Sequence, residues 1–185
     1  MKTSQYFSEV VQELSRNTEL ISDDEAEKLL NQMLESKKIF IVGAGRSGLI
    51  GKSFVMRLMH MGLDAYAVGE TVTANLEESD LLIVGSGSGE TKTLVAIAEK
   101  AKRLGGTVAA VTISPNSTIG KLSDIIVKLP GAPKEQSEGN YKTIQPMGSL
   151  FEQTMLVFFD ALILRMMEKK GLDSNKMYGK HANLE

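Results

Sequence analysis

Residues 81–91 read Leu81-Leu82-Ile83-Val84-Gly85-Ser86-Gly87-Ser88-Gly89-Glu90-Thr91. Four consecutive aliphatic side chains describe a strand buried on both faces, as in a parallel sheet covered by helices. The glycine-rich run after it is a turn, and the helical pattern of residues 90–104 starts from that turn. The same unit occurs earlier as Ile39-Phe40-Ile41-Val42, then Gly43-Ala44-Gly45-Arg46-Ser47-Gly48, then helical spacing over residues 47–61. Further strands are expected at residues 107–113 and 125–129, and a weaker one at 65–68. This alternation predicts an α/β fold: a five-stranded parallel sheet flanked by helices in the flavodoxin-like doubly wound manner, with ligands at the carboxyl ends of the strands.

Two helical patterns come first, over residues 4–16 and 23–34, and Ser22-Asp23-Asp24-Glu25 gives the second a capping-box start. Residues 130–148, PGAPKEQSEGNYKTIQPMG, break the alternation and hold three of the four prolines. A structureless connection of that length is usually functional or disordered. The last helical pattern, residues 149–169, is apolar around most of its circumference and needs more than one partner surface. Residues 1–185 are therefore expected to form one domain, with helices 4–34 and the helix and tail 149–185 in contacts of a homo-oligomer.

With 21 basic and 23 acidic side chains the chain has no general positive field, so neither nucleic acid nor an anionic membrane is expected as a partner. There is no cysteine, which excludes disulfides and thiolate chemistry. The opening MKTSQYFSEV lacks the apolar stretch of a secretion signal, and the most apolar run, residues 155–164, is too short to span a bilayer. The expected location is the cytoplasm. Two histidines and scattered carboxylates offer no compact ligand spacing, so no metal is expected.

The chemistry concentrates in the turn at residues 85–91. Ser86, Ser88 and Thr91 bring hydroxyls, Gly87 and Gly89 free the backbone for close approach, and a helix N-terminus follows. Many short-range donors beside a favourable dipole are what a phosphate requires. The alternative is that these hydroxyls cap the helix and hold the turn. Ser47 reaches the same crevice if the two glycine-ended strands are neighbours, although it too is placed to cap a helix. Arg46 is a plausible anion contact. Lys92 adds a charge beside the turn, and Lys134 and Lys142 in the long connection are placed to steer or cover a phosphate.

Gly43 to Gly48 also matches the G-x-G-x-x-G of dinucleotide-binding folds, with Glu70 at about the spacing of the ribose-binding acid. Chain length argues against that reading, because little remains for a catalytic domain. Glu152 lies among Leu150, Phe151 and Met155, a setting that shields a carboxylate from water. The spacing Ser149-Leu150-Phe151-Glu152 equally suits a capping box. His60, with Arg57 three residues before it, sits where an imidazolium favours a helix C-terminus. His181 lies in a polar tail with no local packing reason.

The pairing of GAGRSG with GSGSGET, joined by YKTIQPMGSLFE over residues 141–152, resembles the sugar isomerase, or SIS, domain family, and the resemblance runs through the closing HANLE. It implies a five-stranded SIS sheet, a homotetramer, and cofactor-independent isomerisation of a phosphorylated 3-hexulose to fructose 6-phosphate in the ribulose monophosphate pathway of formaldehyde fixation. On this chain it implies substrate contacts from Ser47, Ser86, Gly87, Ser88, Gly89, Glu90, Thr91 and Lys92, with Glu152 as the proton-transferring base. His181 joins the catalytic candidates as a group able to help oxygen atoms exchange protons, from its own or a neighbouring subunit. A non-catalytic phosphosugar-binding SIS module is the competing reading.

Overall fold

The computed structural model describes residues 1–132, 142–181 and 183–184. Five strands form one all-parallel sheet: β1 Ile39–Gly43, β2 Ala65–Ala67, β3 Leu81–Gly85, β4 Thr107–Thr112 and β5 Ile125–Lys128, in the order β2-β1-β3-β4-β5. Each expected strand is present. Along them side chains alternate between two covered faces. Ile39, Ile41, Leu81, Ile83, Ala109 and Val111 face one helical layer. Phe40, Val42, Leu82, Val84, Val108 and Ala110 face the other.

The first layer contains α2 (Asp23–Glu35), α3 (Arg46–His60) and the long α6 (Ser149–Lys170). Phe54 of α3 stacks on Phe159 of α6 with ring centroids 4.1 Å apart, and both are buried. The second layer contains α4 (Lys92–Arg103) and the short α5 (Thr118–Leu122). The helix after β1 and the helix after β3 thus cover opposite faces, so their crossovers diverge. This is the topological switch point, where a doubly wound sheet leaves a crevice above its strand ends.

The N-terminal helix α1 (Thr3–Asn17) lies against α6, outside both layers. It buries only Glu13 and Asn17, while Tyr6, Phe7 and Val11 remain exposed. At the start of α2, Ser22 accepts a hydrogen bond from the Glu25 N–H as a capping box requires. Glu25 does not complete the box; its Oε2 accepts instead from Lys128 N on the edge strand β5, at 2.8 Å. In the polar tail, α7 (Ser174–Tyr178) lays Met177 against the core, and His181 stacks on His60 with centroids 5.1 Å apart.

Candidate active site

Register places the two glycine turns side by side. β1 and β3 pair from Ile39↔Leu81 to Gly43↔Gly85, so both chains leave the sheet at one level. Above them lies a cavity of about 520 Å³, lined by Ala44 and Ser47 from the first turn and by Gly85, Ser86, Gly87, Ser88 and Thr91 from the second. Ile113, Ala132, Gly148, Phe151 and Glu152 complete the wall.

The first turn has its own reason for three glycines. A Cβ on Gly48 would stand 2.7 Å from the Gly43 carbonyl oxygen, so strand end and helix start touch backbone to backbone. Gly45 has φ +59° and occupies the cap position of α3, so Ser47 is not the cap. Ser47 lines the cavity from the first helical turn, where the positive end of the helix favours an anion. Glu70, the acid of the dinucleotide reading, is ion-paired with Lys52.

The second turn divides its hydroxyls between structure and cavity. Ser86 Oγ accepts from Gly89 N at 3.1 Å, and Ser88 Oγ accepts from Glu90 N at 3.3 Å. Each retains its proton to donate to a ligand oxygen. Thr91 occupies the cap position of α4 without a side-chain cap bond. Gly89, Glu90 and Lys92, expected among the substrate contacts, fall outside the cavity wall. Gly89, at φ +65°, donates to Ser86 and accepts from Ile119 N. Glu90 turns away to accept from Thr118 N at 2.7 Å and Thr118 Oγ1 at 2.8 Å, bonds that hold its carboxyl below the ordinary value and start α5. Lys92 is exposed on α4.

Glu152 stands on the first turn of α6 and is buried, with 8% of its surface exposed. The capping-box alternative does not form: α6 is preceded by Gly148, without a side-chain cap bond. The Glu152 carboxylate instead meets Arg46, whose Nη1 donates to Glu152 Oε2 at 3.2 Å and to Ser149 Oγ at 2.9 Å. Arg46, on the rim of the first turn, is therefore a partner of the buried acid. The chain reaches α6 through Met147, which at φ +55° is the one non-glycine residue with positive φ among the described residues. Such a backbone costs roughly 1–2 kcal/mol for an L-residue and persists only where the surroundings hold it.

His181 does not enter the crevice of its own chain. It lies against His60 at the C-terminal end of α3, while Ser47 lies at the N-terminal end, so the length of a 15-residue helix, about 20 Å, separates them. Lys142 is exposed, and Lys134 lies outside the described residues. Among the described residues no group of three or more His, Asp or Glu could hold a metal ion, and no helix is long and apolar enough to cross a membrane.

A cleft with phosphate-type donors on one wall and a buried carboxylate on the other has clear relatives. The SIS domain model matches residues 32–157. The 3-hexulose-6-phosphate isomerase of Bacillus subtilis is 60% identical over 185 residues, covering 100% of both chains. The enzyme of the same name from Mycobacterium gastri is 36% identical, over 94% of this chain and 92% of its own. Among solved structures, a hypothetical protein from Methanococcus jannaschii superposes with a TM-score of 0.83 at 34% identity, over 98% of this chain and 99% of that one; its crystal structure was used to infer a molecular function of 3-hexulose-6-phosphate isomerase. Over both its sheet and its paired glycine turns, this chain belongs to the SIS domain family.

Proposed function

We propose that this chain isomerises 3-hexulose 6-phosphate to fructose 6-phosphate, with the phosphate held by Ser47, Ser86, Ser88 and Thr91 and with Glu152 as the base. The observation that carries this reading is that Glu152 shares one cavity with the phosphate turn. The full-length identity to the Bacillus subtilis enzyme supports the choice of sugar.

The reaction needs no oxidant. The Glu152 carboxylate removes the proton at C2, the C–H electron pair forms the C2–C3 double bond, and the C3 carbonyl oxygen takes the negative charge of a 2,3-enediolate. The carboxylic acid so formed returns the proton to C3, while the C2 hydroxyl proton passes to the C3 oxygen, which restores a carbonyl at C2 and leaves a hydroxyl at C3. Shielding from water suits a carboxylate to this work, and Arg46 is placed to oppose the developing negative charge.

The same reading makes the protein a cytoplasmic homotetramer in the ribulose monophosphate route of formaldehyde fixation. Its oligomeric part is supported by α6, which leaves Leu156, Val157 and Leu164 exposed, and by an apolar groove of about 670 Å³ between α1, α2 and α6. A catalytic part for His181 then belongs to a neighbouring subunit's crevice. The test couples the purified protein to 3-hexulose 6-phosphate and follows fructose 6-phosphate. Product formation is expected; no product, with turnover of a different phosphosugar, transfers the reading to that sugar. Sedimentation showing only monomer at micromolar concentration would remove the oligomer.

A further inference from the structure

The only residues that α1 buries are polar, and both grip the segment that carries Glu152. Glu13 Oε2 accepts from Thr143 Oγ1 at 2.7 Å and from Gln145 Nε2 at 2.8 Å, and Glu13 Oε1 accepts from Ile144 N at 2.9 Å. Gln145 is itself buried, and its backbone N–H donates to Thr143 Oγ1 at 3.0 Å. One helical turn along, Asn17 Nδ2 donates to Thr154 Oγ1 at 2.8 Å. The first grip therefore lies before Glu152 in the chain and the second lies after it.

The segment between them is arranged for the grip, against the usual preference of its side chains. Ile144 and Met147 point outward, 56% and 63% exposed, while Gln145 and Glu13 are buried. Hydrophobic burial alone would favour the opposite arrangement. Directly after Gln145, the Pro146 carbonyl accepts from Ser149 N, and the Gly148 carbonyl accepts from Glu152 N at 3.0 Å. The positive φ of Met147 lies inside this turn. A displacement at Gln145 is thus passed to the backbone of Glu152 within one turn, and Glu13 holds the three donors that oppose it.

We propose that Glu13 is a positioning residue for Glu152, with Asn17 as the second half of the clamp. It does not line the cavity. Its role is to fix the first turn of α6 so that the Glu152 carboxylate meets Arg46 and the reacting carbon at the right place. This rests on the isomerase reading of the same cavity, and the test separates the two.

Steady-state kinetics on Glu13→Ala, Asn17→Ala and Thr143→Val are read together with hydrogen exchange of the backbone amides. Misplacing a reacting group by an ångström costs up to about a hundredfold in rate, so kcat of Glu13→Ala is expected to fall at least about tenfold. KM should stay within about threefold, because the phosphate turn is untouched; a merely structural defect would instead scale with the unfolded fraction. Amides of residues 148–152 should exchange faster, with those of the second half of α6 unchanged. Should Glu13→Ala not fold, Thr143→Val removes one of the three donors to Glu13, together with the acceptor of the Gln145 N–H, and is expected to show the same signs more weakly. Wild-type kcat and exchange in folded variants would overturn the proposal. Wild-type protein without turnover would sink the isomerase reading, and the exchange data would still decide the clamp.

Discussion

The Arg46 guanidinium, at the start of the helix that leaves the first glycine turn, meets the buried carboxylate of Glu152 at 3.2 Å on the first turn of α6. The contact joins the two halves of the cavity, and it sets two demands on Arg46. Its charge opposes that of Glu152 before the reaction and the charge of an enediolate during it. Its Nη1, which donates to both Ser149 Oγ and Glu152 Oε2, fixes where the carboxylate points. Arg46→Ala is expected to lower kcat by about 10–100-fold, the range of a lost electrostatic partner at a reacting group. Half of the Arg46 side chain is exposed, so the melting temperature should change little. Arg46→Lys should restore only part of the rate, because an ammonium on a flexible four-carbon stem is not held where the planar guanidinium places Nη1 between Ser149 and Glu152. An alanine variant with wild-type kcat would remove Arg46 from the chemistry.

Glu152→Gln preserves size and hydrogen bonding but removes the proposed base. A drop in kcat of about 10²–10⁴-fold is expected, the contribution of a positioned general base. Inorganic phosphate should still protect the variant against thermal unfolding, because the donors proposed for it lie in the turn between β3 and α4 and at the start of α3. Weakened phosphate protection together with retained turnover would make Glu152 a structural residue.

Strand ends and turns were legible because aliphatic runs ending in glycine have few other solutions. Even the adjacency of Ser47 to the second turn followed once the two runs were read as neighbours. The short helix α5 was not legible: five residues show no periodicity, and what starts it is the distant Glu90 carboxylate with the Ser117 cap. The turn of the Glu90 side chain toward Thr118 was hidden for the same reason, since its motif position says nothing of that partner. Arg46 with Glu152, and Glu13 with residues 143–145, join parts of the chain more than a hundred residues apart. A glutamate within an amphipathic helix reads as solvent-facing, and only its tertiary partners show otherwise.

The glycines of the first turn allow a comparison between strain and contact. Gly45 has open space around its Cβ position, so Gly45→Ala meets only the backbone penalty of φ +59° and ψ −131°, roughly 1–3 kcal/mol. A Cβ on Gly48 meets the Gly43 backbone, which has no flexible end to move aside. Gly48→Ala should therefore be the more destabilising, by more than about 2 kcal/mol. It should also raise KM, because prising α3 from β1 displaces Ser47. Denaturant unfolding of the two variants, with KM for the phosphosugar, checks the order. Equal costs would mean that the turn yields easily and that the close approach has no energetic weight.

His60 provides a pH dependence whose sign can be worked out. Burial, then the coulombic effect of His181 from the tail, then that of Arg57 from its own helix hold its imidazole below the ordinary value. The unfolded chain takes up this proton near pH 6.5, while the folded chain resists it to lower pH. Below that point the unfolded state binds more protons, so stability falls as pH falls, and above about pH 7 the group contributes no slope. Glu13 acts in a different window. Burial raises its carboxyl, but hydrogen bonds from Thr143, Gln145 and Ile144 and the charge of Arg16 outweigh that and leave it below the ordinary value. Its stabilisation is complete above the unfolded carboxylate value, about 4.3, and is lost only at lower pH. Between pH 7 and 5 the histidine effect can therefore be read apart from that of Glu13. The expected result is a melting temperature that declines over this range in the wild type and declines less in His60→Phe, which keeps an aromatic ring for His181 but cannot be protonated. Parallel slopes in the two proteins would show that another group titrates. A shallower slope in the variant, with earlier exchange of the tail amides in the wild type at pH 5, would show that protonation of His60 loosens the stack that holds the C-terminal tail.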